Sequence, residues 1–125
     1  MFDSARLALG IIRLINGVLG IVAPGILIRR LGGDPAHNAV ARYAFRLFGV
    51  RTVLLAGELL APDGPVRVHA ARTAIAIHAA DTTAAAWGAW RRELPPRPAL
   101  MTIGISTINT ILAVIAWRGY RARNP

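Results

Sequence analysis

One apolar run, residues 71–90, constrains the fold of this chain more than any other stretch. Its sequence is ARTAIAIHAADTTAAAWGAW. A helix needs about 20 residues to cross a bilayer, and this run is long enough. His78 and Asp81 lie one helical turn apart near its middle. Because ionisable side chains at that depth are costly, the rest of the chain is expected to supply partners for them.

The composition favours the membrane class. Of the 125 residues, 54% are hydrophobic and the mean hydropathy is +0.46, which is too apolar for an ordinary soluble domain of this size. All 15 basic residues are arginine, and together with the many alanines this indicates a GC-rich, bacterial genome. The chain has no cysteine, which excludes disulfides, thiolate metal ligands and thiol nucleophiles.

The net charge of +9 does not predict nucleic-acid binding, because the arginines cluster at the ends of apolar runs. There they can reach lipid headgroups, so the lipid bilayer is the expected partner.

The arginines do not decide the orientation of the chain in the membrane. With four crossings, six arginines fall on the side of the termini: Arg6, Arg67, Arg72, Arg118, Arg121 and Arg123. Seven fall on the opposite side: Arg29, Arg30, Arg42, Arg46, Arg91, Arg92 and Arg97. This near balance sets no orientation, and the habit of small bacterial membrane proteins favours both termini on the cytoplasmic side of the plasma membrane.

The predicted fold is an all-α, antiparallel up-down bundle of four transmembrane helices, forming one domain over residues 1–125. The helices are expected at about 5–30, 36–61, 66–92 and 99–119. Pro24 and Gly25 predict a bend near the end of the first helix. Asp34 is the expected N-cap of the second helix, with Pro35 at its first position. Proline-rich segments at 61–65 and 93–98 separate the later helices.

Polar side chains inside the predicted crossings are the candidate site. Opposite charges at comparable depths predict two ion pairs, Arg51 with Asp81 and Arg13 with Glu58. His78 and Asp81 are three residues apart on one helix and are expected to hydrogen-bond. The predicted intramembrane cluster comprises Arg13, Arg51, Glu58, His78, Asp81 and Asn109.

The cluster has a structural and a functional interpretation. As a structural element it holds the helices together, and small residues spaced four apart on the third helix, Ala76, Ala80, Ala84 and Gly88, favour close packing or contact with a second copy. As a site it would bind a lipid-like ligand, perform acid–base chemistry or carry protons.

No cofactor and no catalytic residue can be named from the pattern, and whether the chain is an enzyme stays open. No metal site is expected, because His78, Asp81 and Glu58 share their space with arginines. The sequence favours a small polytopic membrane protein that binds a lipid-like ligand or a membrane protein partner. An intramembrane enzyme or small transporter, and an accessory subunit of a respiratory or transport complex, are the alternatives. A homo-oligomer or a larger membrane complex fits each of them.

Three segments carry a family resemblance: RLINGVLGIVAP in the first helix, RLFGVRTVLLAGELL in the second and HAADTTAAAW in the third. In their order, they resemble small actinobacterial four-helix integral membrane proteins of unknown function. The resemblance implies the fold and no activity, so it assigns no role to any residue.

Overall fold

The computed structural model describes residues 2–123, and within this range the chain has five α-helices and no strand. They are α1 (Phe2–Val22), α2 (Pro24–Arg30), α3 (Ala39–Leu60), α4 (Pro65–Trp90) and α5 (Pro96–Arg123), with a short 3-10 turn at Pro35–His37. The all-α prediction is confirmed.

Prolines begin three of the helices. Pro24 starts α2 directly after a break at Ala23, so the helix predicted at 5–30 is divided where Pro24 and Gly25 predict a bend. Pro65 and Pro96 stand at the first positions of α4 and α5. A proline is tolerated there because the first backbone N–H groups of a helix have no partner within it.

The start of α3 differs from the prediction. The Asp34 carboxylate accepts a hydrogen bond from the Ala36 N–H at 2.9 Å and caps the 3-10 turn rather than a long helix. Asn38 instead caps α3, accepting from the Ala41 N–H at 3.0 Å. Both residue types are good N-caps, so the sequence does not decide between them.

The last helix is longer than the predicted 99–119: it begins at Pro96, inside the segment 93–98 predicted to precede it, and continues to Arg123. Its end packs against the start of α1, where Gly119 lies so close to the Phe2 ring that no side chain would fit at that glycine. Arg123 Nη1 also lies 3.4 Å from Asp3 Oδ2. The first and last helices therefore meet at the end of the structure that carries both described termini.

Glycines bring α1 and α3 into close antiparallel contact. A Cβ atom added at Gly49 would lie 2.6 Å from the Gly17 carbonyl oxygen, and one added at Gly20 would lie 2.7 Å from the Phe45 carbonyl oxygen. The two backbones can approach this closely only without side chains at these positions. The glycines of α1 thus form a small-residue surface that is used inside the chain.

The helices differ in how extensively they pack. The α1–α3 and α4–α5 pairs pack most extensively, α1–α5 less, and α3–α4 least, so α1 and α4 lie diagonally across the structure. The central apolar cluster comprises Leu9, Leu55, Leu59, Ala70, Ala71, Ala74 and Ala113. The loose α3–α4 pair leaves space beside this core.

Small residues on α4 do not pack as predicted. Ala76, Ala80 and Ala84 are exposed in this chain, whereas Gly88 is buried. The buried face of α4 is made by other small residues and one histidine: Ala70, Ala71, Ala74, His78 and Ala85.

Two helices, α1 and α5, are long and apolar enough to cross a membrane. Only 33% of the apolar stretch of α1 and 28% of that of α5 is buried inside the structure, which is unlike the core helices of a soluble domain. Charged side chains interrupt α3 and α4, and neither meets the same criteria of length and composition.

Candidate functional site

Arg13 forms the centre of the polar site by reaching across the diagonal from α1 to α4. It is 4% exposed. Its Nε donates a hydrogen bond to His78 Nε2 at 3.0 Å, and its Nη2 donates to Asp81 Oδ2 at 3.2 Å. The same Nη2 lies 2.5 Å from His78 Nδ1, so both ring nitrogens face the guanidinium. A long cationic side chain is needed because α1 and α4 are not adjacent.

His78 and Asp81 share a face of α4 because they are three residues apart. His78 Nδ1 and Asp81 Oδ2 are 3.8 Å apart, which is beyond hydrogen-bond distance. The sequence correctly placed the two side chains together, but the hydrogen bond predicted between them is not formed. The guanidinium of Arg13 binds both of them instead.

The two predicted ion pairs are not formed. Asp81 pairs with Arg13 rather than with Arg51, and Arg13 therefore does not pair with Glu58. Arg51 and Glu58 do share one face of α3, as their spacing of seven predicts, but that face is exposed. The inward face of α3 is occupied by Gly49, Thr52, Leu55, Ala56 and Leu59.

Asn109 is buried on α5, as expected for a residue of the polar cluster. Ser106, one turn earlier, is buried too. Within residues 2–123, no hydrogen bond joins Asn109 to Arg13, His78 or Asp81. The structure therefore brings three of the six predicted residues into direct contact, leaves Asn109 buried on α5, and turns the other two outward.

An apolar cavity of about 390 Å³, here called the inner groove, lies beside Asp81. It is formed by side chains of all five helices: Asn16, Leu27, Arg30, Leu31, Phe45, Phe48, Asp81, Ala84, Ala85, Leu94, Met101, Thr102, Ile105 and Ser106. Apart from Asp81, the lining residues of this groove were not predicted, because they lie on separate helices and come together only when those helices are packed.

A second cavity of about 460 Å³, the α3–α4 cleft, lies along the loosely packed helix pair. It shares Phe48 and Asp81 with the inner groove, and its lining also includes Arg13 and Arg51. Asp81 thus borders both cavities. Its side chain is 43% exposed, whereas His78 is fully buried.

Asp81 is the member of the site that a ligand can reach. Its Oδ2 is bound by Arg13, and within residues 2–123 its Oδ1 accepts no hydrogen bond. His78 is enclosed by the guanidinium and by the protein core, which leaves its ring no access to a substrate. The arrangement can therefore offer a fixed carboxylate oxygen to a hydrogen-bond donor in an apolar space.

Outside the helices, Asp34 and His37 form a separate exposed pair in the 3-10 turn, with Asp34 Oδ2 2.5 Å from His37 Nδ1. The hydrogen bond with His37, followed by that from the Ala36 N–H, lowers the pKa of Asp34 below its ordinary value. The carboxylate therefore stays ionised and keeps capping the turn in mildly acidic solution.

The described part of the chain, residues 2–123, brings no three His, Cys, Asp or Glu side chains together as a metal site would require. Comparison of the chain with protein-family models, with curated proteins and with solved structures finds no match. The function of the site is therefore inferred from its geometry and exposure.

Proposed function

We propose that this chain is a plasma-membrane protein with four spans that binds a lipid-like ligand in the inner groove. The apolar outer surface supports the membrane location. On α1 and α5 many large hydrophobic side chains are exposed, among them Leu7, Ile11, Ile15, Val22, Leu100, Met101, Ile108 and Ile111. Such a continuous apolar surface is stable against lipid and prone to aggregation in water.

The packing of α3 and α4 supports their assignment as the other two spans. They lie alongside α1 and α5 over most of their lengths, and Arg6 Nη1 donates to the Leu59 carbonyl at 2.7 Å where α3 ends. The charge that α4 carries at mid-depth, Asp81, is neutralised by Arg13 inside the protein rather than in lipid. The two termini of each chain then lie on the same side of the membrane.

The exposed carboxylate of Asp81 is the observation that carries the ligand proposal. A polar group in an apolar cavity is stabilised only when it is hydrogen-bonded, and Oδ1 offers an acceptor there. The ligand is an amphiphile whose head group donates a hydrogen bond through a hydroxyl, amide or amine. Its tail lies along Leu27, Phe45 and Ile105 of the groove wall.

The geometry favours binding over catalysis. An intramembrane enzyme that used His78 as an acid or base would need the ring to reach the substrate, but the ring is fully buried against Arg13. Proton or solute transport through Asp81, and a role as an accessory subunit, are the competing functions. The former predicts ligand flux and the latter predicts co-purification of other subunits.

Native mass spectrometry of the protein, extracted from its own membrane in mild detergent, tests the proposal. The wild-type protein is expected to carry an amphiphile at one per chain. Ala84→Trp, which fills the inner groove, and Asp81→Asn, which removes the carboxylate, are each expected to lower its occupancy at least tenfold. Ala79→Trp is the matched control, because Ala79 is exposed on α4 and lies outside the groove.

Two results would contradict the proposal. Full occupancy in both Ala84→Trp and Asp81→Asn would show that the bound lipid lies elsewhere on the surface. A wild-type chain that leaves the membrane with alkaline buffer and no detergent would contradict the membrane assignment itself.

A further inference from the structure

An exposed stripe on α3, here called the outer stripe, has no function in the site described above. It consists of Leu47, Arg51, Leu54 and Glu58, whose spacing of four, three and four residues follows one side of a helix, as in a helix–helix seam. Leu47 is 42% and Leu54 63% exposed. Within residues 2–123, the side chains of Arg51 and Glu58 form no hydrogen bond or ion pair.

The two charges of the outer stripe lie on either side of the middle of the protein. Antiparallel contacts place Gly17 against Gly49 and Gly10 against Leu60, so the middle of α1, residue 12, is level with residues 55 and 56 of α3. The midpoint between Arg51 and Glu58 falls between residues 54 and 55. At a rise of 1.5 Å per residue, Arg51 therefore lies about 7 Å from the level of residues 55 and 56, and Glu58 about 4 Å from it on the other side.

In a bilayer these charges would face the hydrocarbon near its centre, where neither is stable alone. We propose that the outer stripe pairs with the outer stripe of a second copy inserted in the opposite orientation. This proposal rests on the four-span placement proposed above. A two-fold axis in the membrane plane beside Leu54 brings Arg51 of each copy to Glu58 of the other. Two equivalent ion pairs therefore form, and each of the four charges has a partner.

A second copy in the same orientation does not fit the outer stripe. An axis along the membrane normal would place Arg51 opposite Arg51 and Glu58 opposite Glu58, so like charges would face each other. Opposite orientations also agree with the arginine distribution, since six arginines at one end and seven at the other give no preferred direction of insertion. The second copy would cover the open side of the α3–α4 cleft, which Leu47 and Arg51 also line.

Cysteine cross-linking tests the inverted pairing, because the chain has no cysteine of its own. Leu54→Cys next to the axis is expected to form a disulfide dimer in native membranes. Ile108→Cys is the matched control: Ile108 is 56% exposed and lies at about the same depth on α5. Cross-linking at 108 but not at 54 would overturn the proposal, as would no cross-link at either position.

A mixed experiment determines the orientation. In the register that pairs Arg51 of one copy with Glu58 of the other, Leu47 of one copy faces Pro62 of the other. Differently tagged Leu47→Cys and Pro62→Cys chains, expressed together, are therefore expected to cross-link with each other. Two residues 47 would be about 22 Å apart in that register, too far for a disulfide. A 47–47 dimer would show parallel pairing and overturn the proposal.

Charge reversal tests whether the pairing depends on the two charges. Arg51→Glu and Glu58→Arg, each combined with Leu54→Cys, are expected to lower the cross-link yield at least tenfold, and the double variant Arg51→Glu/Glu58→Arg to restore it. Failure of the double variant to restore the yield, in chains that still elute as a single species in detergent, would overturn the proposal. Ligand occupancy in these variants reports separately on the inner groove, so the loss of pairing and the failure of the proposed function are distinguishable.

Discussion

At the residue scale, one long cationic side chain offsets the energetic cost of placing a carboxylate between the helices. Arg13 is buried and contacts both polar groups of α4, His78 and Asp81. The formal charges of Arg13 and Asp81 cancel, and the His78 ring accepts a hydrogen bond from Nε of the guanidinium. Arginine suits this position because its planar fork can bind two acceptors at once.

Replacing the carboxylate tests this account. Asp81→Ala leaves the guanidinium of Arg13 buried without its counter-charge, and we expect the free energy of unfolding to fall by about 2–3 kcal/mol. This is below the roughly 3–5 kcal/mol of a fully buried pair, because Asp81 is partly exposed. Thermal unfolding in detergent, followed by circular dichroism, measures the change.

The matched control is Glu93→Gln, which removes an exposed carboxylate 3.7 Å from Arg91. We expect a change of less than about 0.5 kcal/mol, because exposed ion pairs contribute little. Equal stability of Asp81→Ala and Glu93→Gln would show that the Arg13–Asp81 pair does not hold the helices together.

At the element scale, glycines determine which helices are neighbours. Gly17, Gly20 and Gly49 let the α1 and α3 backbones touch, and this contact fixes the rotation of α3 about its axis. That rotation turns Thr52 and Leu55 inward and leaves Arg51 outside. The loosely packed α3–α4 pair then leaves the space that Asp81 borders.

Adding a methyl group at the contact should disturb it. A Cβ at Gly49 would meet the Gly17 carbonyl oxygen at 2.6 Å and the Ile21 nitrogen at 2.8 Å, and backbone atoms cannot move aside as side chains do. We expect Gly49→Ala to cost about 1–3 kcal/mol of stability through overpacking. Chemical unfolding in detergent would measure it.

Gly57 on the same helix provides the comparison. Beyond its chain neighbours and the adjacent backbone of α3, no atom lies within 4 Å of a Cβ built at Gly57, so Gly57→Ala should be neutral or stabilising by up to about 1 kcal/mol through helix propensity. A Gly49→Ala protein as stable as Gly57→Ala would mean that the α1–α3 contact is looser than the structure shows.

At the scale of the whole molecule, four spans make a definite prediction about the sides of the membrane. Single cysteines at Pro62 and Arg121 should lie on one side, and those at Ala36 and Arg97 on the other, because each long helix reverses the direction of the chain. We expect equal labelling by an impermeant thiol reagent within each pair of positions. The measurement uses intact cells and permeabilised cells as the reference.

Unequal labelling of Ala36→Cys and Arg97→Cys would contradict four spans, since α3 and α4 would then not both cross. The same data bear on the inverted pairing. If copies insert in both orientations, about half of each position should be labelled from outside, as a symmetric pair with one copy in each orientation requires. Complementary labelling with a single orientation would support four spans and contradict inverted pairing.

The sequence by itself determined the local features. The predicted breaks at 24–25, 61–65 and 93–98 do contain helix boundaries, because proline lacks the backbone donor that a helix interior requires, and this effect needs no tertiary contact. The spacing of His78 and Asp81 likewise placed them on one face. The cost of ionisable groups inside an apolar helix singled out Arg13, His78 and Asp81, which do meet, but it also included Arg51 and Glu58, which lie on the surface.

Only the tertiary structure decided the partners. Depth along a helix can be counted from the sequence, and depth alone paired Arg51 with Asp81 and Arg13 with Glu58. The choice depends on which helices are adjacent and how each is rotated. Those are set by the glycine contact between α1 and α3, a long-range packing effect that no local pattern encodes. It directs Arg13 across the interior to Asp81 and leaves Arg51 and Glu58 on the surface.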